Sequence, residues 1–320
     1  MVVLRSSDPP SYTLRRFLRG FMWFKNLQVY RFPAPWNISA SSLEEQLGRR
    51  AFRSVAGFEL QTQGWMSPRD DGGLVHSVHG QMLISLCTEK KLLPASVIKE
   101  VIRTKAIEAE ARQGYKPGRK QLRELKVQIT DELLPRAFNV RRHTGIWIDP
   151  ANGWLVIDAG SPGKADEVVA LLNKSVDDLV IERLNTTLSP GTAMTAWLAN
   201  NDVPHGFSVD LDTELQSPVE EKATVRFVRH ALDPKEVQRH IAGGKQCTRL
   251  ALTWANRVSF VLTESWVLKR IIPVDVIRDG ENAQNQSDDE RFDADFTLMT
   301  GELQRMLAEL VETLGGLEAR

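Results

Sequence analysis

The stretch from Val97 to Arg142 constrains this chain most, because its charge opposes burial while its apolar spacing calls for helix. It carries twelve basic residues: Lys99, Arg103, Lys105, Arg112, Lys116, Arg119, Lys120, Arg123, Lys126, Arg136, Arg141 and Arg142. Six acids oppose them (Glu100, Glu108, Glu110, Glu124, Asp131 and Glu132), leaving a local excess of +6 in a chain of formal net charge zero. Apolar residues fall at Val97, Ile98, Val101 and Ile102, then at Leu122, Leu125, Ile129 and Leu133, three or four apart as in a helix. Between them, Gln113-Gly114-Tyr115-Lys116-Pro117-Gly118 has the composition of a turn. The pattern predicts two helices folded back on each other with a basic tip. At about 1.5 Å per residue the first would run roughly 25 Å, long enough to project as an arm. Such an arm points to a polyanionic partner. The plainer alternative is a solvated helical hairpin with ordinary surface lysines.

The 320-residue chain is long enough for a large core and two or three subdomains, and its apolar fraction is that of a globular protein. No run of eighteen apolar residues exists, so no membrane-spanning helix is expected. Cys87 and Cys247 lie far apart in apolar contexts, which predicts buried free thiols in a reducing cytoplasm. The neutral total hides a second asymmetry. From Asp275 to Arg320 twelve acids face four bases, an excess of −8 that would keep this end away from nucleic acid. Met1 to Phe21 interleaves Arg15, Arg16 and Arg19 with apolar residues and is no signal peptide; it is expected to be a disordered extension, with Met22 as a candidate start.

The remaining chain reads as strands and helices in irregular alternation. Strands are expected at Trp23–Phe32, Leu74–Val78, Gln81–Thr88, Ile146–Ile148, Trp154–Ile157, Leu179–Leu184, Thr224–His230, Cys247–Trp254, Val258–Thr263 and Trp266–Ile272. The turn between Ile148 and Trp154 carries Asn152-Gly153, a strong hairpin signal. A capped helix is expected from Ser41-Ser42 to Ala51. Pro94 should open the first arm helix, and further helices are expected at Lys164–Asn173, Thr192–Asn200 and Pro234–Ile241. A polar linker, Asn282–Glu290, should precede a last helix with Met299, Leu303, Met306, Leu307, Leu310 and Leu314 on one face. Hairpins interleaved with helices argue an α+β fold. The expected regions are an extension (1–21), the first part of a central α+β region (22–93), the basic arm (94–142), an α+β region with hairpins (143–274) and an acidic linker with the C-terminal helix (275–320).

No pattern makes a case for catalysis. Gly160-Ser161-Pro162-Gly163-Lys164-Ala165 has two residues between its glycines where a phosphate-cradling loop needs four, and Ala165 lacks a hydroxyl for magnesium. Asp293, Asp295 and Glu302 form the only magnesium-nuclease candidate, but acids serving a helix N-terminus are the better account. His76 and His79 lack the further ligands of a zinc site. The expectation is a protein without catalytic residues, metal or cofactor. The segment Leu133-Leu134-Pro135-Arg136-Ala137-Phe138-Asn139-Val140-Arg141-Arg142 points instead to nucleic acid. Phe138 sits among three arginines, so it could stack on or wedge between bases while they hold phosphate. The alternative is that Phe138 anchors the arm root in the core.

Three segments carry a resemblance to the bacterial recombination-associated RdgC family. They are Met22-Trp-Phe-Lys-Asn-Leu-Gln-Val-Tyr-Arg31, Leu133-Leu-Pro-Arg-Ala-Phe138 and Arg291-Phe-Asp-Ala-Asp-Phe-Thr-Leu-Met-Thr-Gly-Glu-Leu303. The resemblance implies an α+β fold whose elongated, multi-region protomer has a projecting helical arm and closes as a homodimer into a ring around duplex DNA. It implies DNA binding without sequence preference, functional antagonism of RecA, no enzymatic activity and no cofactor. Such a protein would be cytoplasmic and nucleoid-associated. The DNA-binding residues expected from the arm and the resemblance together are Arg103, Lys105, Arg112, Lys116, Arg119, Lys120, Arg123, Lys126, Arg136, Phe138, Arg141 and Arg142. Arg229 and His230 join them near ring closure. Double-stranded DNA is the expected partner, and single-stranded DNA stays open. The rival functions are a magnesium-dependent nuclease and a protein-interaction module that docks the arm on an acidic partner. The family's proteins usually begin at the position of Met22, so residues 1–21 are a departure.

Overall fold

A computed structural model describes residues 23–69, 72–219, 221–230, 233–274 and 287–318. The expectations for Met1–Phe21 and for most of the Asn282–Glu290 linker lie outside these residues.

Twelve strands form one sheet in which every pairing between strands is antiparallel. In chain order they are β1 (Asn26–Arg31), β2 (Gln61–Met66), β3 (Val75–Val78), β4 (Gln81–Leu92), β5 (Phe138–Asp149), β6 (Trp154–Asp158), β7 (Glu182–Arg183), β8 (Phe207–Gln216), β9 (Thr224–Phe227), β10 (Gln246–Trp254), β11 (Val258–Thr263) and β12 (Val267–Pro273). The order across the sheet is β2-β4-β5-β6-β1-β12-β11-β10-β8-β9, with β3 beside β4 and β7 beside β1. The first and last thirds of the chain thus meet where β1 pairs with β12 through Leu27 and Leu268.

Alternation along the strands sorts the apolar residues into two cores. In β6, Trp154 and Val156 face one core while Leu155 and Ile157 face the other. The first core is closed by α5 (Pro190–Asn200), Val237 of α6 (Pro234–Ala242) and α7 (Asp288–Thr313). The second lies under α1 (Ala40–Gly48) and α4 (Pro162–Ser175). Helix α7 packs Met299, Leu303, Met306, Leu307 and Leu310 of the predicted face into the sheet, with Phe296 beside them and Leu314 buried at the C-cap. Full burial of each such side chain contributes about 1.5–3 kcal/mol. Ser287 caps it and Glu290 closes the capping box. Burial pushes the Cys87 thiol up to about 11 and that of Cys247 up to about 12, so both stay protonated at neutral pH.

Several boundaries differ from the sequence reading. Ser39, not Ser41 or Ser42, caps α1 by accepting from the Ser42 amide. Of the strand expected at Leu179–Leu184, only Glu182 and Arg183 pair, because the segment meets the sheet at β1 alone. The strand expected at Thr224–His230 stops at Phe227, and Arg229 takes a left-handed φ of 51° that ends extended backbone. Helix α7 begins at Asp288, inside the expected linker, because Ser287 and three first-turn acids satisfy its N-terminus. Strands β2 and β8 were not expected. QTQGWM of β2 lacks clean alternation and is held in place by β4, whereas FSVDLDTELQ of β8 does alternate apolar with polar residues, a strand signal that the sequence reading passed over.

Candidate nucleic-acid interface

Strands β4 and β5 pair without interruption from Met82↔Ile148 to Leu92↔Phe138. Two helices connect their far ends, α2 (Ala95–Gln113) and α3 (Arg119–Leu133). They pack on each other as a helical hairpin. Pro94 takes the N-cap position of α2 in extended conformation, and Gly114 ends that helix with a left-handed φ of 82°, which glycine adopts without strain. The Gly118 amide donates to Gln121 Oε1 (2.9 Å) and opens α3. Pro135 then terminates the α-helix, and Leu134–Arg136 form one 3-10 turn that leads into β5.

Helix α2 buries no residue and α3 buries Ile129 alone, with Leu134 buried just beyond. The surface of this hairpin is therefore mostly charge. Arg103, Arg112, Lys116, Arg119, Lys120, Arg123, Lys126 and Arg136 are all exposed, and no ion pair among the described residues ties them to an acid. Lys105 differs: its ammonium donates to Glu132 (2.7 Å), and this hydrogen bond holds the Glu132 carboxyl below its usual range. That pair links the two helices and leaves Lys105 less charge to offer a ligand than its neighbours have.

Strand β5 sorts the basic segment into two faces. Phe138, Val140 and Arg142 lie on the side that carries Ile146 and Ile148 into the second core. Helix α4 covers that side only as far as Thr88, which accepts from Lys164 Nζ (3.1 Å). Beyond it the face is bare: Phe138 is 82 % exposed, Leu92 opposite it 56 % and Val140 39 %. Lys90 and Arg142 flank this apolar strip and are also exposed. Phe138 therefore does not anchor the hairpin in the core; Leu134 and Ile129 do. Arg141 points to the opposite side. Its Nε donates to Glu89 (2.7 Å), its Nη2 to Ser54 Oγ (2.8 Å), and its guanidinium lies 5.3 Å over the Phe52 ring. Gly64 makes that arrangement possible, because a Cβ there would stand 2.5 Å from the Phe52 backbone. Arg141 thus serves as a fixed strut, unlike the exposed Arg142.

Arg229 and His230 lie far along the sheet, beyond β9 and apart from the hairpin. A register shift in the β8–β10 pairing accompanies a break around Asp210–Asp212. Asp212 accepts from the Arg229 amide (2.9 Å) and from Arg270 (2.6 Å), and these contacts hold its carboxyl below the usual range. The His230 amide donates to the Leu211 carbonyl (3.3 Å). Both side chains are exposed, but Asp212 places a negative charge beside Arg229.

The acids of the nuclease alternative are otherwise engaged. Glu302 is 1 % exposed and takes a bidentate grip from Arg257 (2.7 and 2.8 Å), with Arg305 on the same carboxylate. Asp293 meets His76 (3.1 Å) and Arg69 (3.4 Å). Asp295 is buried in α7, where a separation of two residues turns it away from Asp293. No group of three or more His, Cys, Asp or Glu able to hold a metal ion occurs among the described residues. No described helix is long and apolar enough to cross a membrane.

A single antiparallel sheet with helices on both faces and one exposed basic helical hairpin defines an α+β protein with a polyanion-compatible surface. The sequence model of the family described as "Putative exonuclease, RdgC" matches residues 22–317. Curated relatives named "Recombination-associated protein RdgC" share 60 % identity over 295 residues in Janthinobacterium sp. (strain Marseille), covering 92 % of this chain and 98 % of that protein. The relative from Herminiimonas arsenicoxydans is 58 % identical over 299 residues, 93 % of this chain and all of that protein. The relative from Cupriavidus necator is 58 % identical over 295 residues, 92 % of this chain and 99 % of that protein. The chain belongs to the RdgC family, a family of recombination-associated proteins. The names of these relatives specify no enzymatic activity.

Proposed function

We propose that this chain is a non-enzymatic, sequence-independent DNA-binding protein that surrounds duplex DNA as a homodimeric ring and limits the action of a RecA-type recombinase on the nucleoid. One observation carries the reading: a run of exposed basic side chains, tied to no acid among the described residues, leads along the hairpin to the bare Leu92–Phe138–Val140 strip. Binding to phosphates alone needs cations and no base-reading helix. Dispersed lysines and arginines on both helices and on β5 suit backbone contact, and Phe138 offers an apolar ring to a base or a base step. In this reading the hairpin projects as an arm, and the acid-rich C-terminal region faces away from DNA or meets the partner subunit. Arg229 and His230 would act where the ring closes.

The test is a titration against two unrelated duplexes across a salt series, with magnesium present and the DNA inspected for cleavage. Similar affinities that fall steeply with salt, on intact DNA, support the proposal. Cut DNA would revive the nuclease reading, and absence of binding would favour a docking module for an acidic protein. Retention on circular but not linear DNA then tests the ring. A RecA strand-exchange assay with added protein tests the antagonism.

A further inference from the structure

The direction of the hairpin relative to the sheet rests on few apolar contacts, since α2 buries nothing and α3 with its 3-10 turn buries Ile129 and Leu134. Beside Leu134 the chain buries charge instead. Lys91 on β4 is 7 % exposed, and Glu89, two residues before it on the same side of the strand, is 1 % exposed. A buried charge is tolerated only where hydrogen bonds replace its water. Glu89 accepts from the Val55 amide (2.6 Å) and from Arg141 (2.7 Å). Lys91 donates to the carbonyl of Gly57 (3.1 Å) and to that of Leu134 (2.9 Å), one on the loop before β2 and one at the exit of α3. The second contact sets a cation at the carbonyl end of the helix, where the dipole favours it. Its neighbours Lys90 and Leu92 point to the bare face and are exposed.

We propose that Lys91 is a positioning residue: its ammonium ties the end of α3 to the Gly57 loop and so holds the basic hairpin at the angle that presents its cations together. The inference rests on the DNA-binding reading above, because only there does the angle matter to function. Lys91 itself reaches no ligand. Its effect on binding is indirect, and it should differ from that of the adjacent Lys90, whose charge is at the surface.

The experiment combines hydrogen exchange with DNA titration on the full chain. Lys91→Met keeps the length and removes the donors. Its peptides from α2 and α3 should exchange faster, while those of β10, β11 and α7 stay as in the parent protein. Its affinity for duplex DNA should fall about tenfold with a shallower salt slope, as expected when the cations no longer act together. Lys91→Arg keeps the charge and the donors and should restore most of both. Lys90→Met should weaken binding by at most one phosphate contact and leave hairpin exchange unchanged. If Lys91→Met does not fold, Lys91→Gln, with one donor group, takes its place with the same readouts. Unchanged hairpin exchange would show that Lys91 does not hold the hairpin. Faster exchange with unchanged affinity and slope would show that the angle is irrelevant, and either result overturns the proposal. If the parent protein binds no DNA, the functional reading falls, and hydrogen exchange still decides whether Lys91 holds the hairpin.

Discussion

Helix α7 buries ten of its 26 residues, whereas α2 buries none of its 19 and α3 one of its 15. Both regions are strongly charged, but the charge is used differently. In α7 three acids sit at the first turn, Asp293 and Glu302 are matched by Arg69 and Arg257 from elsewhere, and Glu309 accepts from the Trp254 indole. In the hairpin most cations face solvent outside any ion pair among the described residues. A helix that buries an apolar stripe gains its stability from tertiary packing. One that buries almost nothing must draw on its partner helix, its caps and its root. The contrast separates a region kept for stability from a region free to carry a ligand.

The largest expected effect breaks that contrast from the stable side. Leu307→Ala in α7 should cost about 2–5 kcal/mol in denaturant unfolding, because a fully buried leucine leaves a cavity. Ile107→Ala on α2, a 60 % exposed position, should change stability by less than about 0.5 kcal/mol. Equal losses at the two sites would mean that the hairpin is packed against something in solution.

Charge reversal of Lys116, Arg119 and Lys120 to glutamate attacks the other side. Every phosphate that the variant no longer neutralises should make the salt slope shallower by about 0.9, with the melting temperature nearly unchanged. An unaltered slope removes the hairpin tip from the interface. Phe138→Ala sharpens the comparison at one residue. Stacking on a base contributes about 1–3 kcal/mol, so DNA affinity should fall accordingly. Stability should move by less than about 0.5 kcal/mol, because the ring is already in water. A sharp drop in the unfolding midpoint would instead return Phe138 to a structural role.

The smallest effect is on pH. Burial, aided by the nearby Arg141 cation, holds the His143 imidazole below its usual 6.5, and burial does the same to His76 against the pull of Asp293. The unfolded chain therefore binds protons on these groups before the folded chain does. Stability should fall as pH drops through 6.5 toward the lower folded values, and level off below them. His143→Asn should flatten part of that fall in a melting series, whereas an unchanged profile would assign it to the carboxylates.

How much could be read in advance depended on whether a property belongs to a residue or to a pair. The +6 excess of Val97–Arg142, the turn at Gly114–Gly118 and the apolar face of α7 are properties of residue type and spacing, so they were legible. The Asn152-Gly153 hairpin and the family segments were legible for the same reason. Strand β2 was not, because its neighbour β4 rather than its own pattern makes it a strand, while β8 was legible in the alternation of Phe207, Val209, Leu211, Thr213 and Leu215 with polar residues and was passed over. Nor could the sequence tell Arg141 from Arg142. Adjacent in sequence, they project to opposite sides of β5, and only the first meets Glu89 and Ser54. The exposure of Phe138 and the buried donors of Lys91 were decided in the same way. The sequence by itself determined the α+β class, the basic hairpin and the family. The tertiary structure alone decided which charges are held and which are free, because an ion pair or a covered face requires residues from distant parts of the chain to meet.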